Sequence, residues 1–454
     1  MEKSRNKTWV WAECLFLILV VIAILFVLTR EKNGKDNTEN VDPTHVVQEN
    51  VPDPGQLMNT TFLLFENASS GLPLTGAWRG MPVLHDLNHD GNLDAIVSLR
   101  IRDDKQEDGK EKTRTQKSIK SAKPALAEES GLYVFLGDGK GNWKESNEGI
   151  PPTLGYGGAE TGDFNNDGNP DILFSTHCGT MKVFLGDGTG KWSESSQGID
   201  NTTLIEDVAV ADFNGDGFED IAGISMFPEG GGGVYCFANS GHVTWTRMHE
   251  EPLIDNGSMG HEIRVADINK DGHPDIVVAS NRGMKVFLND GAGQFSDFSR
   301  GLPNPQIGNS ISCMDVGDIT GDGILDLVVG AYAANSQVGL EVYVQVPESD
   351  GVELDWKRLY TGPYERDFTF GVVLGDMDGD KDLDMVVSSY NDVYGSRLMV
   401  FENDGTGLMT EIGHIKDGCG RASLALGDVN NDGRLDVLTV FSEAAGGVRV
   451  YVQK

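Results

Sequence analysis

Asp163-Phe164-Asn165-Asn166-Asp167-Gly168-Asn169-Pro170-Asp171 runs straight into Ile172-Leu173-Phe174-Ser175, and six other stretches of the chain repeat this pattern. The copies begin at Asp86, Asp163, Asp212, Asp267, Asp318, Asp376 and Asp428, at steps of 77, 49, 55, 51, 58 and 52 residues. Self-similarity at such a period means one supersecondary unit per copy, with neighbouring units burying each other's apolar faces.

Oxygen-bearing side chains stand at positions one, three, five and nine of each copy. They are Asp86, Asn88, Asp90 and Asp94; Asp163, Asn165, Asp167 and Asp171; Asp212, Asn214, Asp216 and Asp220; and Asp267, Asn269, Asp271 and Asp275. The last three copies supply Asp318, Thr320, Asp322 and Asp326; Asp376, Asp378, Asp380 and Asp384; and Asp428, Asn430, Asp432 and Asp436. Three carboxylates about 5 Å apart repel by about 3 kcal/mol per pair at an effective dielectric near 20, which a cation would relieve. Hard oxygen donors in this number favour calcium, up to seven ions. Position seven varies freely (Asn92, Asn169, Phe218, His273, Ile324, Asp382, Arg434), as expected if only its carbonyl is used. Position six is Gly in every copy but the sixth, where Lys381 stands and should strain a sharp turn. A helical calcium loop would need a Glu at position twelve, where this chain has Val97, Phe174, Gly223, Val278, Val329, Val387 and Thr439.

Short β-branched runs follow the loops, such as Ile276-Val277-Val278 and Leu327-Val328-Val329, and read as strands buried on both faces. A second strand with its own turn comes next, as in Val183-Phe184-Leu185-Gly186-Asp187-Gly188. Beyond it an aromatic is followed by a Gly: Trp143 to Gly149, Trp192 to Gly198, Phe295 to Gly301. Each unit therefore reads as a four-stranded antiparallel sheet, and a ring of them as an all-β, seven-bladed β-propeller. The last unit lacks its fourth strand. Phe65 to Gly71 repeats that strand's pattern at the other end of the domain, so it is expected to complete the seventh blade and remove an open edge.

These repeats resemble the FG-GAP repeats of the integrin α-subunit propeller and the related VCBS repeats of bacterial and archaeal surface proteins. The resemblance covers roughly residues 61–454. It implies calcium at the seven loops, with the fifth and sixth, which carry Thr320 and Lys381, furthest from the pattern. It says little about function, which depends on sites grafted onto the fold.

An apolar run at residues 10–29, broken only by Glu13 and preceded by a tail at 1–9 with Lys3, Arg5 and Lys7, is long enough to span a bilayer. No small-residue cleavage site follows, so it reads as an uncleaved signal anchor. Extracellular loops of this type bind calcium with dissociation constants on the order of 0.1 to 1 mM and would stand empty in cytosol. The expectation is a single-pass membrane protein with its propeller (61–454) extracellular or periplasmic, on a polar stalk at 30–60. The net charge of −34 argues against a nucleic-acid partner. Cys178, Cys236, Cys313 and Cys419 show no metal spacing and read as buried thiols, with one disulfide the alternative.

If the acidic loops share one face, strand entrances and outer loops share the other. Gathered there are Trp78, Arg79, Tyr156, Glu206, His261, Glu262 and Arg421, with His177, Phe227, Tyr332, Tyr390 and Tyr394 further out. An insertion at 102–130 on the same face carries Lys112, Arg114, Lys117, Lys120 and Lys123. The functional expectation is a non-enzymatic adhesion or protein-interaction module with an extracellular protein or glycan partner. Its alternatives are a lectin and, less favoured, a polysaccharide lyase or hydrolase using Glu206, His261 and Glu262.

Overall fold

The computed structural model describes residues 63–454 apart from 101–129, 153, 178, 201–202, 226–232, 254–259, 304–309, 333–339, 348–353, 362–367, 392–394, 416–421 and 443–445. The expected anchor at 10–29, the stalk and nearly all of the insertion lie outside the described residues, as do Phe227, Tyr394 and Arg421. Among the described residues no helix is long and apolar enough to cross a membrane.

Seven four-stranded antiparallel sheets make up the compact unit Thr61–Lys454. Their first strands are Ala77–His85, Ala159–Gly162, Ile205–Ala211, Gly260–Ala266, Ser310–Gly317, Phe368–Gly375 and Ala422–Gly427. Each of these packs against its counterparts in the blades on either side, so together they ring a central axis. An acidic loop follows each first strand, and position nine of the loop opens the second strand, at Asp94, Asp171, Asp220, Asp275, Asp326, Asp384 and Asp436. Successive strands run antiparallel, so all seven acidic loops lie on one face of the ring and the strand entrances on the other.

The second strands are buried along almost their whole length, as their unbroken apolar runs require. Apolar side chains collect into seven clusters, each bridging two adjacent blades. Between blades 1 and 2, for example, Ile96 and Val134 meet Ile172 and Phe174. The ring closes as expected: Phe65–Asn67 pairs antiparallel with Val448–Gln453, Phe65 opposite Gln453, and supplies the fourth strand of blade 7.

The recurrent aromatic-to-Gly spacing proves to be a joint between blades. Trp143, Trp192, Trp245 and Trp356 each donate an indole N–H to a carbonyl of the preceding blade, at Ala68, Ser146, Ser195 and Phe298, over 2.9 to 3.1 Å. Their backbone N–H groups bond Ser70, Glu148, Gln197 and Arg300 of the same neighbours. The next residue is Gly in every case, with φ between +91° and +99°. A methyl group on Gly71, Gly149, Gly198 or Gly301 would lie only 1.8 to 2.1 Å from the facing tryptophan's carbonyl oxygen. Gly433, at position six of the seventh loop, has φ +85° but nothing within 4 Å of such a methyl. Gly198→Ala is therefore expected to cost about 3 kcal/mol and Gly433→Ala about 1 kcal/mol. Thermal unfolding midpoints check this, and equal shifts would contradict the joint.

Candidate functional site

Every acidic loop is folded around the carboxylate at position nine, which is at most 1% exposed. Its Oδ2 accepts the backbone N–H of position two in all seven copies, from Leu87, Phe164, Phe213, Ile268, Ile319, Met377 and Val429, at 2.8 to 3.1 Å. In six copies its Oδ1 accepts an N–H from the end of the third strand, from Gly137, Gly186, Asn239, Asn289, Asn403 and Gln453. Burial pushes these carboxyls up, to about 7 for Asp94 and Asp171 and to about 6 for Asp220, Asp275, Asp326, Asp384 and Asp436. Charge here is costly unless something positive offsets it.

Positions one, three and five form the rim. In all seven loops the Oδ2 of position one accepts the N–H of position six. This requires a left-handed residue at position six, and Lys381 adopts it with φ +84°, as the six glycines do. Position four is left-handed as well, at His89, Asn166, Gly215, Lys270, Gly321, Gly379 and Asn431, with φ from +53° to +89°. The residues at that position, mostly Gly and Asn, carried this signal in the sequence.

The donor set fits a hard cation in the two loops that depart most from the pattern. Carboxylate oxygens of Asp376, Asp378 and Asp384 lie within 4.8 Å of one another, close enough to share one ion. In the fifth loop the buried Oδ1 of Asp318 has no hydrogen-bond partner. An orphaned carboxylate oxygen aimed into an acidic loop is what a bound cation would satisfy.

Five buried carboxamides that sequence reading passed over tie the loops of blades 2 to 6 to the next blade. Side-chain nitrogens of Asn239, Asn289, Gln345, Asn403 and Gln453 donate to Phe164, Phe213, Ile268, Ile319 and Met377, the position-two carbonyls of the preceding blades. Their place at the end of the third strand, where blades 1 and 2 have Gly137 and Gly186, was the available clue.

The opposite face carries the strand entrances. Trp78 is not part of it: the side chain is fully buried, edge-on to Tyr133, with its indole N–H bonded to the Thr75 carbonyl. Its apolar bulk is used in the blade 7–blade 1 core. Arg79, Tyr156, His177 and Glu206 do come together. Glu206 Oε1 pairs with Arg79 Nη2 at 3.3 Å and its Oε2 with His177 Nδ1. His177 stacks on Tyr156 with ring centroids 4.3 Å apart. These contacts hold the Glu206 carboxyl below its ordinary value despite burial, while burial lowers His261 nearby. Tyr390 is half-buried in blade 6, opposite Phe368 in the strand pairing, and Tyr332 ends the second strand of blade 5.

Glu262 is turned inward, not presented at the face. It belongs to a belt around the axis in which Arg264 lies 3.5 Å from Glu262 and 3.6 Å from Asp207. The carboxylates of Asp207, Glu262 and Asp315 each accept a backbone N–H from the next blade, at Ile263, Met314 and Leu374. Burial outweighs the single guanidinium and raises Asp207 to about 6, Glu160 to about 7 and Glu262 to about 8. The folded state thus keeps protons that an unfolded chain releases near pH 4. This contribution to stability is full below pH 4 and disappears as pH rises through 6 to 8. Melting temperatures across pH 5 to 8.5 should fall with pH, and Glu262→Gln should flatten that slope; an unchanged slope would remove the belt from the account.

Fold and loops define a class, the seven-bladed β-propeller. A family model described as FG-GAP-like repeat matches residues 125–174, 163–223, 267–329 and 376–439. The chain is an FG-GAP repeat propeller. No curated protein matches it significantly. Among solved structures, an Agrocybe aegerita lectin that recognises non-reducing terminal N-acetylglucosamine aligns over 74% of this chain and 81% of its own, at 18% identity and a TM-score of 0.44. BBS1N in complex with ARL6DN aligns over 65% of this chain and 91% of its own, at 12% identity and a TM-score of 0.34.

Proposed function

We propose that this chain is a membrane-anchored, extracellular or periplasmic calcium-binding propeller that acts as an adhesion or protein-interaction module. The observation that carries the reading is the division of labour between faces. One face repeats the same acidic loop seven times, each tied into the sheet by a buried carboxylate. The other gathers Arg79, Tyr156, His177 and Glu206 from blades 1 to 3 in an arrangement that no other blade repeats among the described residues. Repeated parts suit scaffolding. A cluster of Arg and aromatic side chains suits recognition, since these residues dominate binding hot spots.

Calcium in this account is structural: it neutralises the loop rims and adds stability to the blades that carry the opposite face. The anchor reading rests on the apolar segment 10–29. A lectin would need open aromatic platforms, whereas Tyr156 is only 8% exposed beneath its neighbours. Chelation should lower the melting temperature of the full chain by several degrees, because ten times the dissociation constant of calcium contributes about 1.4 kcal/mol per site. Capture of protein partners from an extracellular extract should fall with it. Unchanged melting and capture after chelation would contradict the proposal.

A further inference from the structure

We infer that the cluster at the mouth of blades 1 and 2 is a receptor for a carboxylate side chain of an acidic protein segment, with Arg100 as the residue that grips it. The inference rests on the preceding reading of this face as the docking surface.

Glu206 is already committed, one oxygen to Arg79 and the other to His177. Arg79 is thereby neutralised. Arg100, the last residue of the second strand of blade 1, has its guanidinium carbon 5.0 Å from the centroid of Tyr156, with that of Arg79 at 5.6 Å. Among the described residues no carboxylate pairs with Arg100. A guanidinium laid on an aromatic ring keeps its edge donors free, in the fork geometry that matches a carboxylate with two hydrogen bonds.

The seat of this arginine is built at a cost. His177 lies in the left-handed region at φ +56°, where a non-Gly residue is strained. Its backbone N–H bonds the Ile205 carbonyl at 3.0 Å, and its ring supports Tyr156 at an interplanar angle of 25°. Strain retained to hold one ring under another is preorganisation of the surface above it. A sugar ring is the poorer occupant, because the aromatic face it would stack on is covered. The net charge of −34 opposes an acidic ligand at long range. Screening beyond about 8 Å confines that repulsion, leaving recognition to the local arginine.

The test uses the full chain in detergent with calcium and a fluorescent acetylated Gly-Asp-Glu-Asp-Gly peptide, read by anisotropy. The Gly-Asn-Gln-Asn-Gly peptide and trigalacturonate serve as comparison arms. The acidic peptide should bind at least about tenfold more tightly than the amide peptide. R100Q should lose most of that preference and R100K should recover part of it, both with unchanged melting temperatures. No binding of the acidic peptide, equal binding of the amide peptide, or an unaffected R100Q would overturn the inference. Tighter binding of trigalacturonate would overturn the peptide assignment in favour of an acidic sugar. Peptide binding that survives while calcium-dependent partner capture fails would contradict the proposed function alone; capture unaffected by R100Q would contradict this inference alone.

Discussion

A carboxylate buried at position nine of every loop, held in six of the seven between the loop's own backbone and that of the third strand, is the constraint on which the rest of this structure depends. In six loops position nine ties the start of the loop to the end of the third strand, so first, second and third strands are registered by one side chain, as Asp171 does. An unsatisfied buried amide costs about 1 to 3 kcal/mol, so removing the acceptor would release two such groups at once. The acidic loops are therefore part of the sheet's framework, and any ion they hold acts on a scaffold that is already organised.

Blades built this way still have to be joined. The structure uses three devices at three radii. Near the axis, Asp207, Glu262 and Asp315 reach the backbone of the next blade under the influence of Arg264. At mid-radius the buried amides of Asn239, Asn289, Gln345, Asn403 and Gln453 reach back to the previous loop. At the rim the indoles of Trp143, Trp192, Trp245 and Trp356 fit against glycines that admit no side chain. Apolar clusters fill the spaces between, one per interface. With this much spent on rigidity, the strained His177 can be held where an isolated chain would not place it.

The repeat made the architecture readable from residues alone. Period, loop pattern and apolar runs pointed to seven four-stranded blades, and the stray Phe65 segment to the closing strand. Lys381 was legible as a strained glycine substitute because six copies showed what the position needs. Trp78 was misjudged because its place at a strand entrance says nothing about which way a side chain points, and burial is decided by the neighbouring blade. Glu262 turned inward for the same reason. The mid-radius amides were passed over because their partners lie 75 to 84 residues away, so the recurrent position at the end of the third strand showed where they sit and not what they bond. Arg100 was missed because it ends a buried, mostly apolar strand, and only the fold brings it over Tyr156.

The central claim is that the seven loops are cation-holding fasteners and that recognition belongs to the opposite face. Equilibrium dialysis of the full chain against radioactive calcium at millimolar concentration tests it most directly. The account predicts close to seven ions per chain, including the loops with Thr320 and Lys381, and a loss of one ion in Asp376→Asn/Asp378→Asn with the other sites intact. Binding of no calcium, or of a single ion unaffected by that double substitution, would contradict it.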